Sequence, residues 1–152
     1  MKSVEALIDT YAAETGKLFD GTGDASGAAA LYIYPYNNFT FGSHTQPPDA
    51  AAAIQNGDWF FGLFRKRGVA SRKLIGQELR PIGPAFTLAV LHWQCLDNAG
   101  NILLDYETAH GCRATNDGWR IEFAVHDDET RALMERWPDF MEEVMASKPA
   151  TA

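Results

Sequence analysis

The sequence predicts an α+β domain in which helices pack on one face of a curved, mainly antiparallel sheet. Residues 85–126 carry three consecutive strand patterns separated by turn-forming groups, and a fourth strand pattern begins at Ser71. Apolar residues upstream of that stretch recur with helical spacing. Because these helical segments precede an antiparallel meander, they are expected to cover one face of a single sheet.

Size and charge restrict the class of protein. The chain has 152 residues, 46% of them hydrophobic, which is the size of one domain spanning residues 1–152. Its net charge of -7 argues against nucleic acid as a partner, because phosphate neutralisation needs a basic surface. One local basic group is expected to be a solvated helix end followed by the start of a strand: Arg65, Lys66, Arg67, Arg72 and Lys73.

No segment indicates a membrane or a secretory route. The first residues lack the apolar core of a secretory signal, and no run approaches the roughly 20 apolar residues of a membrane span. We therefore expect a cytoplasmic protein without a membrane partner.

The first part of the chain predicts two helices. A helix over residues 3–19 begins at Ser3 as N-cap and buries one apolar stripe, formed by Val4, Leu7, Ile8, Tyr11, Leu18 and Phe19. The glycine-rich run 21–27 lacks the spacing of a phosphate-binding loop. It is expected to be a loop in which Asp24 caps a short helix through residues 28–30.

Residues 31–41 have the aromatic and β-branched content of a strand, and Pro35 places it at a sheet edge or at a bulge. Tyr32, Tyr34 and Tyr36 occupy every second position, so in an unbroken strand their three side chains would lie on the same face of the sheet. They form either a packing layer under a helix or a row that contacts a ligand.

Residues 42–48 are expected to be a loop, and Pro47-Pro48-Asp49 starts the next helical pattern. That pattern supports one helix with a weak point at Asn56-Gly57, or two short helices. Trp59 lies either on its buried face or at the end of a cavity. A final helical extension over residues 127–147 is interrupted at Pro138.

The register of the last hairpin decides which residues share a face. With Asp117-Gly118 as a two-residue turn, Arg113 lies opposite Glu122. We prefer this register to the shifted one that places Arg113 opposite Arg120, because opposite charges across two strands attract and like charges repel. One face then carries Tyr106, Thr108, His110, Cys112, Ile121, Phe123 and Val125, and the other carries Asp105, Glu107, Arg113, Arg120, Glu122 and His126. A slip by one residue would move Glu122 to the side of His110.

The first face is mostly apolar with a few polar groups, as in a small-molecule pocket. His110 and Tyr106 are the candidate catalytic residues, since an imidazole titrates near neutral pH; otherwise His110 is a buried histidine bonded to a neighbour. The candidate ligand-binding residues are Tyr32, Tyr34, Trp59, His92 and Phe123. His92 shares this face only if the first hairpin has an odd-length loop, which the sequence leaves open.

Metal and cofactor chemistry are not indicated. The four histidines lack the spacing of metal ligands, and no nucleophile motif or cofactor motif is present. Cys95 and Cys112 lie far apart on neighbouring strands and are expected to be buried thiols. We expect neither a metal nor a cofactor.

Element order and residues 96–127 (LDNAGNILLDYETAHGCRATNDGWRIEFAVHD) resemble the nuclear-transport-factor-2-like superfamily, in its SnoaL-like and ketosteroid-isomerase-like branches. The resemblance covers residues 3–126, and its most specific part is Asn116-Asp117-Gly118-Trp119-Arg120-Ile121, similar to the D-G-W-x-I phrase of many members. It implies a cone-like, cystatin-like roll around an apolar pocket and a homodimer through the sheet's outer face. Members include isomerases, cyclases, dehydratases, epoxide hydrolases and non-catalytic binding domains.

Three functional hypotheses follow. The favoured one is an aromatic-lined pocket that binds a small hydrophobic molecule. The alternative is a cofactor-independent isomerase, dehydratase, cyclase or hydrolase that uses His110 and tyrosines of the same pocket. The isomerase-like branch typically uses an acidic base there, and the preferred register places no acid on the face of His110. A scaffold that acts only through its sheet face is the third.

Overall fold

The computed structural model describes residues 1–40 and 43–150. Within these ranges, helices α1–α5 span Val4–Asp20, Ser26–Ala29, Ala50–Lys66, Asp127–Arg136 and Phe140–Ser147. Strands β1–β6 span Tyr32–Thr40, Ser43–Thr45, Ser71–Pro81, Phe86–Leu96, Ile102–Thr115 and Gly118–Val125. None of these helices is long and apolar enough to cross a membrane.

The strands form one sheet in the order β2-β1-β6-β5-β4-β3, in which only β1 and β6 run parallel. The predicted α+β class and the meander β3–β6 are confirmed. The prediction of a loop over residues 42–48 is wrong where strand β2 lies. Its three polar or small residues show no alternation of apolar and polar positions, so the sequence gives no sign of a strand there. Phe41 and Gly42, which were predicted to end the strand and begin the loop, lie outside the described residues.

Both long N-terminal helices begin where the sequence predicts. The Ser3 side chain accepts a hydrogen bond from the Ala6 backbone N–H at 3.1 Å, and the Asp49 side chain accepts one from Ala52 at 2.9 Å. Helix α3 is continuous through Gly57, so the two-helix alternative is wrong. Gly57 lies where α3 crosses α2: a Cβ there would come within 2.8 Å of the Ala25 Cβ.

The main core lies between α1 and the inner face of the sheet. All six residues of the predicted apolar stripe on α1 are buried. All of them except Leu18 belong to one core cluster with inward side chains of β4, β5 and β6, among them Ala89, Leu91, Trp93, Leu104, Tyr106 and Ile121. Cys95 and Cys112 are free, buried thiols in this layer, as expected.

Pro35 marks a bulge. Among the described residues, strand β2 pairs only with residues 38–40 of β1, so Pro35 also lies on a part of β1 that has no β2 neighbour. Its register against β6 shifts between Tyr32 and Asn37, which brackets the proline. A proline has no N–H to give to a strand neighbour, and an irregular ladder accommodates it there.

The register of the β5–β6 hairpin differs from the preferred one. Thr115 pairs with Gly118 and Arg113 pairs with Arg120, so the turn residues are Asn116 and Asp117. A type I′ turn on Asp117-Gly118 would need a positive φ at Asp117, and no described non-glycine residue has one, whereas Gly118 has φ 99°. Arg113 still reaches Glu122, at 2.9 Å, diagonally across the pair.

A second irregularity reverses the faces of β6. Cys112 pairs with Ile121 but Gly111 pairs with Phe123, so Glu122 is an extra, bulged residue. Residues beyond the bulge change sides: Ala124 is buried, and Phe123 moves to the outer face. The prediction that Phe123 and Val125 share a face of the sheet with His110 is wrong because of this bulge.

The outer face of the sheet is apolar along its centre. Phe86, Leu88, Val90, Phe123 and Val125 are half-buried there. The Phe123 ring covers Gly111, where a Cβ would meet the ring at 2.1 Å. A homodimer through this face stays a prediction.

Arg72 is buried, which corrects its expected place in a solvated basic group. Its side chain is directed inward from β3, and the residue is 8% exposed. The guanidinium carbon lies 3.7 Å from the centroid of the Trp93 ring and 4.6 Å from that of Phe19, and the group donates to Thr15 Oγ1 at 2.5 Å. Two aromatic faces and a buried hydroxyl therefore replace water around this cation.

Replacement of Arg72 by alanine should lower the free energy of unfolding by about 3 kcal/mol or more, because it removes these contacts and one of the groups that attract the buried Glu129 carboxylate. Urea denaturation measures the change. Lys73→Ala, at the exposed neighbouring position, should cost within about 0.5 kcal/mol. Equal losses in the two variants would contradict the structural role of Arg72.

Candidate functional site

A cavity of about 210 Å³ opens between the inner surface of β1 and the helices α1, α3, α4 and α5. Seven of the residues that line it are aromatic: Tyr11, Tyr32, Tyr36, Trp59, Phe60, Phe61 and Phe140. The Tyr32 and Tyr36 rings are stacked, with centroids 3.9 Å apart and planes 3° from parallel. Such a wall suits the faces and edges of an apolar ring.

The broken C-terminal helix closes one side of the cavity. Met141, Val144 and Met145 of α5 line it. Two polar links hold α5 to α3: Arg67 pairs with Asp139 and Glu143 at 2.9 and 2.8 Å, and Trp59 Nε1 donates to Ser147 Oγ at 3.0 Å. The residues that the resemblance does not cover therefore form part of the site.

A polar cluster stands among these aromatic residues. His126, the N-cap residue of α4, is followed one turn later by Glu129, and both line the cavity together with Asn38 and Thr130. His126 Nδ1 lies 3.4 Å from Glu129 Oε1. Glu129 Oε2, Asn38 Oδ1 and His126 Nδ1 are buried and have no hydrogen-bond partner. The cavity wall thus contains hydrogen-bonding capacity that the protein does not use.

Glu129 is an ionised carboxylate in a buried position. Its side chain is only 1% exposed, and burial opposes ionisation, but attraction to His126 and Arg72 and hydrogen bonding outweigh burial and hold the pKa of the carboxyl below its usual value. His126 contributes the larger attraction, and Arg72 adds to it.

The tyrosine hydroxyls of the wall are neutral. Burial raises the pKa of Tyr32 and of Tyr36 well above the usual value, and the neighbouring tyrosines add to this effect. Burial likewise raises the pKa of Tyr11. A neutral phenol can donate a hydrogen bond, so the wall offers donors to a ligand oxygen.

His110 and Tyr106, the candidate catalytic residues, lie behind this wall rather than in it. His110 Nε2 shares a 2.9 Å hydrogen bond with Thr108 Oγ1, and its ring centroid is 4.9 Å from that of Tyr11 and 6.2 Å from that of His126. Tyr106 is buried against Arg72 and Cys95. Both residues face inward, as predicted, but Tyr11 and His126 form the surface above them.

His110 is neutral. Burial, with smaller contributions from His126 and Arg72, lowers its pKa well below 6.5. Its Nδ1 atom is buried without a hydrogen-bond partner. The arrangement matches a buried structural histidine, and no described carboxylate forms an ion pair with it.

The proposed ligand-binding residues divide between the two faces. Tyr32 and Trp59 line the cavity. Tyr34 donates its hydroxyl to the Ala29 carbonyl at 2.6 Å and is not among the lining residues. Phe123 and His92 lie on the outer face, where His92 pairs with Asp105 at 2.5 Å. His92 pairs with Glu107, whereas Trp93 faces inward with Tyr106. The alternative in which His92 shares a face of the sheet with His110 is therefore wrong.

His126 and Glu129 are the residues that the sequence reasoning missed. His126 was assigned to the outer face, which is wrong because the bulge at Glu122 turns Ala124 and then His126 inward. One signal was available: His126 and Glu129 are three residues apart at the start of a predicted helix, a spacing that places two side chains on one side. No group of three or more potential metal ligands is found in the part of the chain that the structure describes.

The neutral state of His110 predicts acid sensitivity. As pH falls below about 6.5, the unfolded chain binds a proton at this imidazole and the folded protein does not, so the free energy of unfolding decreases. The limit is about 1.4 kcal/mol per pH unit for one site. Urea midpoints between pH 7.5 and 5.5 should fall more steeply for the wild type than for His110→Gln. Equal slopes would contradict a buried neutral His110.

No family model matches the chain. No curated protein matches it either.

Solved structures do match, and they show the fold. An NTF2-like protein with a cystatin-like fold from Novosphingobium aromaticivorans is 19% identical, with a TM-score of 0.62 over 80% of this chain and 79% of that one. A domain of unknown function with a cystatin-like fold from Nostoc punctiforme is 14% identical, with a TM-score of 0.60 over 95% of both chains. An NTF2-like protein of unknown function from Pseudomonas putida is 14% identical, with a TM-score of 0.58 over 80% and 81%.

The predicted NTF2-like, cystatin-like fold is therefore confirmed. At these identities the likeness concerns the fold alone.

Proposed function

We propose that the protein binds one small, mainly apolar ring compound in the cavity between β1 and the helices. The observation that supports this most directly is the composition of the wall, in which seven aromatic side chains surround a cluster of His126, Glu129 and Asn38. Ligand sites typically combine a large apolar surface with a few polar groups that orient the ligand. The aromatic residues contact the ring, and the polar cluster contacts its substituent.

The volume agrees with a compound of one or two rings. A cavity of about 210 Å³ is somewhat below the range of roughly 300–1,000 Å³ for drug-sized ligands. Met141 and Met145 at the edge belong to a residue type that adapts its shape, so they allow modest variation in the ligand. Fused bicyclic aromatic compounds are suitable probes.

The cavity can be tested by filling it. Ala53 lines it from α3 and is buried, whereas Ala51 on the same helix is exposed. Ala53→Phe should weaken 2-naphthol binding at least about tenfold in calorimetric titrations, because the new ring occupies ligand space; Ala51→Phe should leave binding unchanged.

A thermal melt provides the second readout. Ligand at 100 times its Kd should raise the free energy of unfolding of the wild type by about 2.7 kcal/mol. The proposal is overturned if folded wild type binds neither naphthalene nor its hydroxyl and methyl derivatives, or if Ala53→Phe binds them as well as the wild type does.

A second candidate function is cofactor-independent acid–base catalysis in the same cavity. The observation that favours it is the His126–Glu129 pair, since a carboxylate beside Nδ1 orients an imidazole for proton transfer at Nε2. His126 Nε2 would remove an α-proton from a ring ketone; the C–H electron pair would form a carbon–carbon double bond, and the π electrons of the carbonyl would move to its oxygen to give an enolate. A neutral tyrosine hydroxyl of the wall would donate a hydrogen bond to that oxygen.

Exchange of ring-ketone protons tests this chemistry without knowledge of the natural substrate. Wild-type protein should speed the exchange of the α-protons of 2-tetralone for deuterium, measured by NMR in deuterated buffer. His126→Gln should exchange these protons at least about 100-fold more slowly than the wild type, because the variant lacks the general base. His92→Gln, on the outer face, is the matched control. Exchange at the buffer rate in the wild type, or equal rates in both variants, would rule out His126 as the base.

A further inference from the structure

We propose that the cavity selects ring compounds that carry an uncharged hydrogen-bond donor, such as a hydroxyl group, and that Glu129 is the residue that receives it. This inference rests on the proposed binding function and names the class of ligand. It depends on an unused acceptor in the cavity wall.

Glu129 has one oxygen with a neighbour and one without. Oε1 lies 3.4 Å from His126 Nδ1, whereas Oε2 is buried and accepts no hydrogen bond. A buried acceptor without a partner is costly, and native proteins rarely keep one except at a functional position. Because Glu129 lines the cavity, a ligand can supply the missing donor.

Besides His126 Nδ1, which lies 3.4 Å from Glu129 Oε1, the wall contains a second unused acceptor. Asn38 Oδ1 lines the same cavity and is also buried without a hydrogen-bond partner. Both Oε2 and Oδ1 can only accept hydrogen bonds, and an ionised carboxylate has no proton to donate. The low pKa of Glu129 keeps it in that form. A ligand with an acceptor alone would leave both oxygens unpaired.

The charge balance favours an uncharged donor over a cation. His126 Nδ1 lies 3.4 Å from Glu129 Oε1, Lys148 also lines the cavity, and Arg72 adds to the attraction on Glu129, so the wall already contains basic side chains. A ligand ammonium would bring a further positive charge near them. A hydroxyl forms a charge-assisted hydrogen bond with the carboxylate and adds no charge.

Matched probes separate this inference from the cavity proposal. We would compare 2-naphthol with 2-methylnaphthalene, which has the same size and no polar group, and with 2-methoxynaphthalene, which keeps the oxygen but has no donor. The wild type should bind 2-naphthol at least about tenfold more tightly than either, which is the scale of one hydrogen bond to a charged group. Both comparison compounds are more hydrophobic, so non-specific binding would give the opposite order.

Glu129→Gln should bring the three Kd values within about threefold of one another, because an amide can present either an acceptor or a donor. Glu135→Gln, on the same helix but exposed, should keep the wild-type preference. The wild-type comparison needs no variant, so it tests the inference even if Glu129→Gln does not fold. A fourth probe, 2-naphthylmethylamine, should bind more weakly than 2-naphthol.

The outcomes are distinct. Equal wild-type binding of the three neutral probes would overturn the donor preference and leave the cavity proposal intact. A preference that survives in Glu129→Gln would overturn the role of Glu129. Tighter binding of the amine would overturn the preference for an uncharged ligand. If the wild type binds none of the probes, both the cavity proposal and this inference fail.

Discussion

The arrangement of the site depends on one buried positive charge. Arg72 lies between the Trp93 and Phe19 rings, and no solvent is available to balance it. Glu129, in the first turn of α4, is attracted to this cation. Together with the larger attraction to His126, which stands beside the acid in the cavity wall, this attraction holds the pKa of Glu129 below its usual value. Core packing and the chemistry of the cavity are therefore linked through one charge pair.

A single extra residue in β6 determines which side chains reach this cavity. Without the bulge at Glu122, Phe123 would face inward and His126 would face outward. With it, a half-exposed phenylalanine covers Gly111 on the outer surface, and an imidazole joins the polar cluster. The bulge also leaves Arg113 and Glu122 close enough to pair although their backbones are not opposite. Its effect is a rearrangement of the site without a change in the order of strands.

Much of the architecture could be predicted because it depends on local patterns. The apolar stripe of α1, the caps Ser3 and Asp49, and the break at Pro138 each follow from neighbouring residues in the chain. Within the site, the inward positions of His110 and Tyr106 followed from the parity of β5, and Tyr32, a candidate binding residue, lines the cavity. The short strand β2 had no pattern of its own, since its pairing with β1 comes from the partner strand.

The sequence by itself determined the α+β class, the meander, the helix ends and an apolar inner face, because alternation and helical spacing are properties of the chain alone. Only the tertiary structure decided that Arg72 is buried, that His110 is covered, and that His126 and Glu129 meet in the cavity wall. The physical reason is that these positions depend on a bulge and on contacts between distant segments. Strand parity is lost at one inserted residue, and a charge becomes stable in a core only when remote groups surround it.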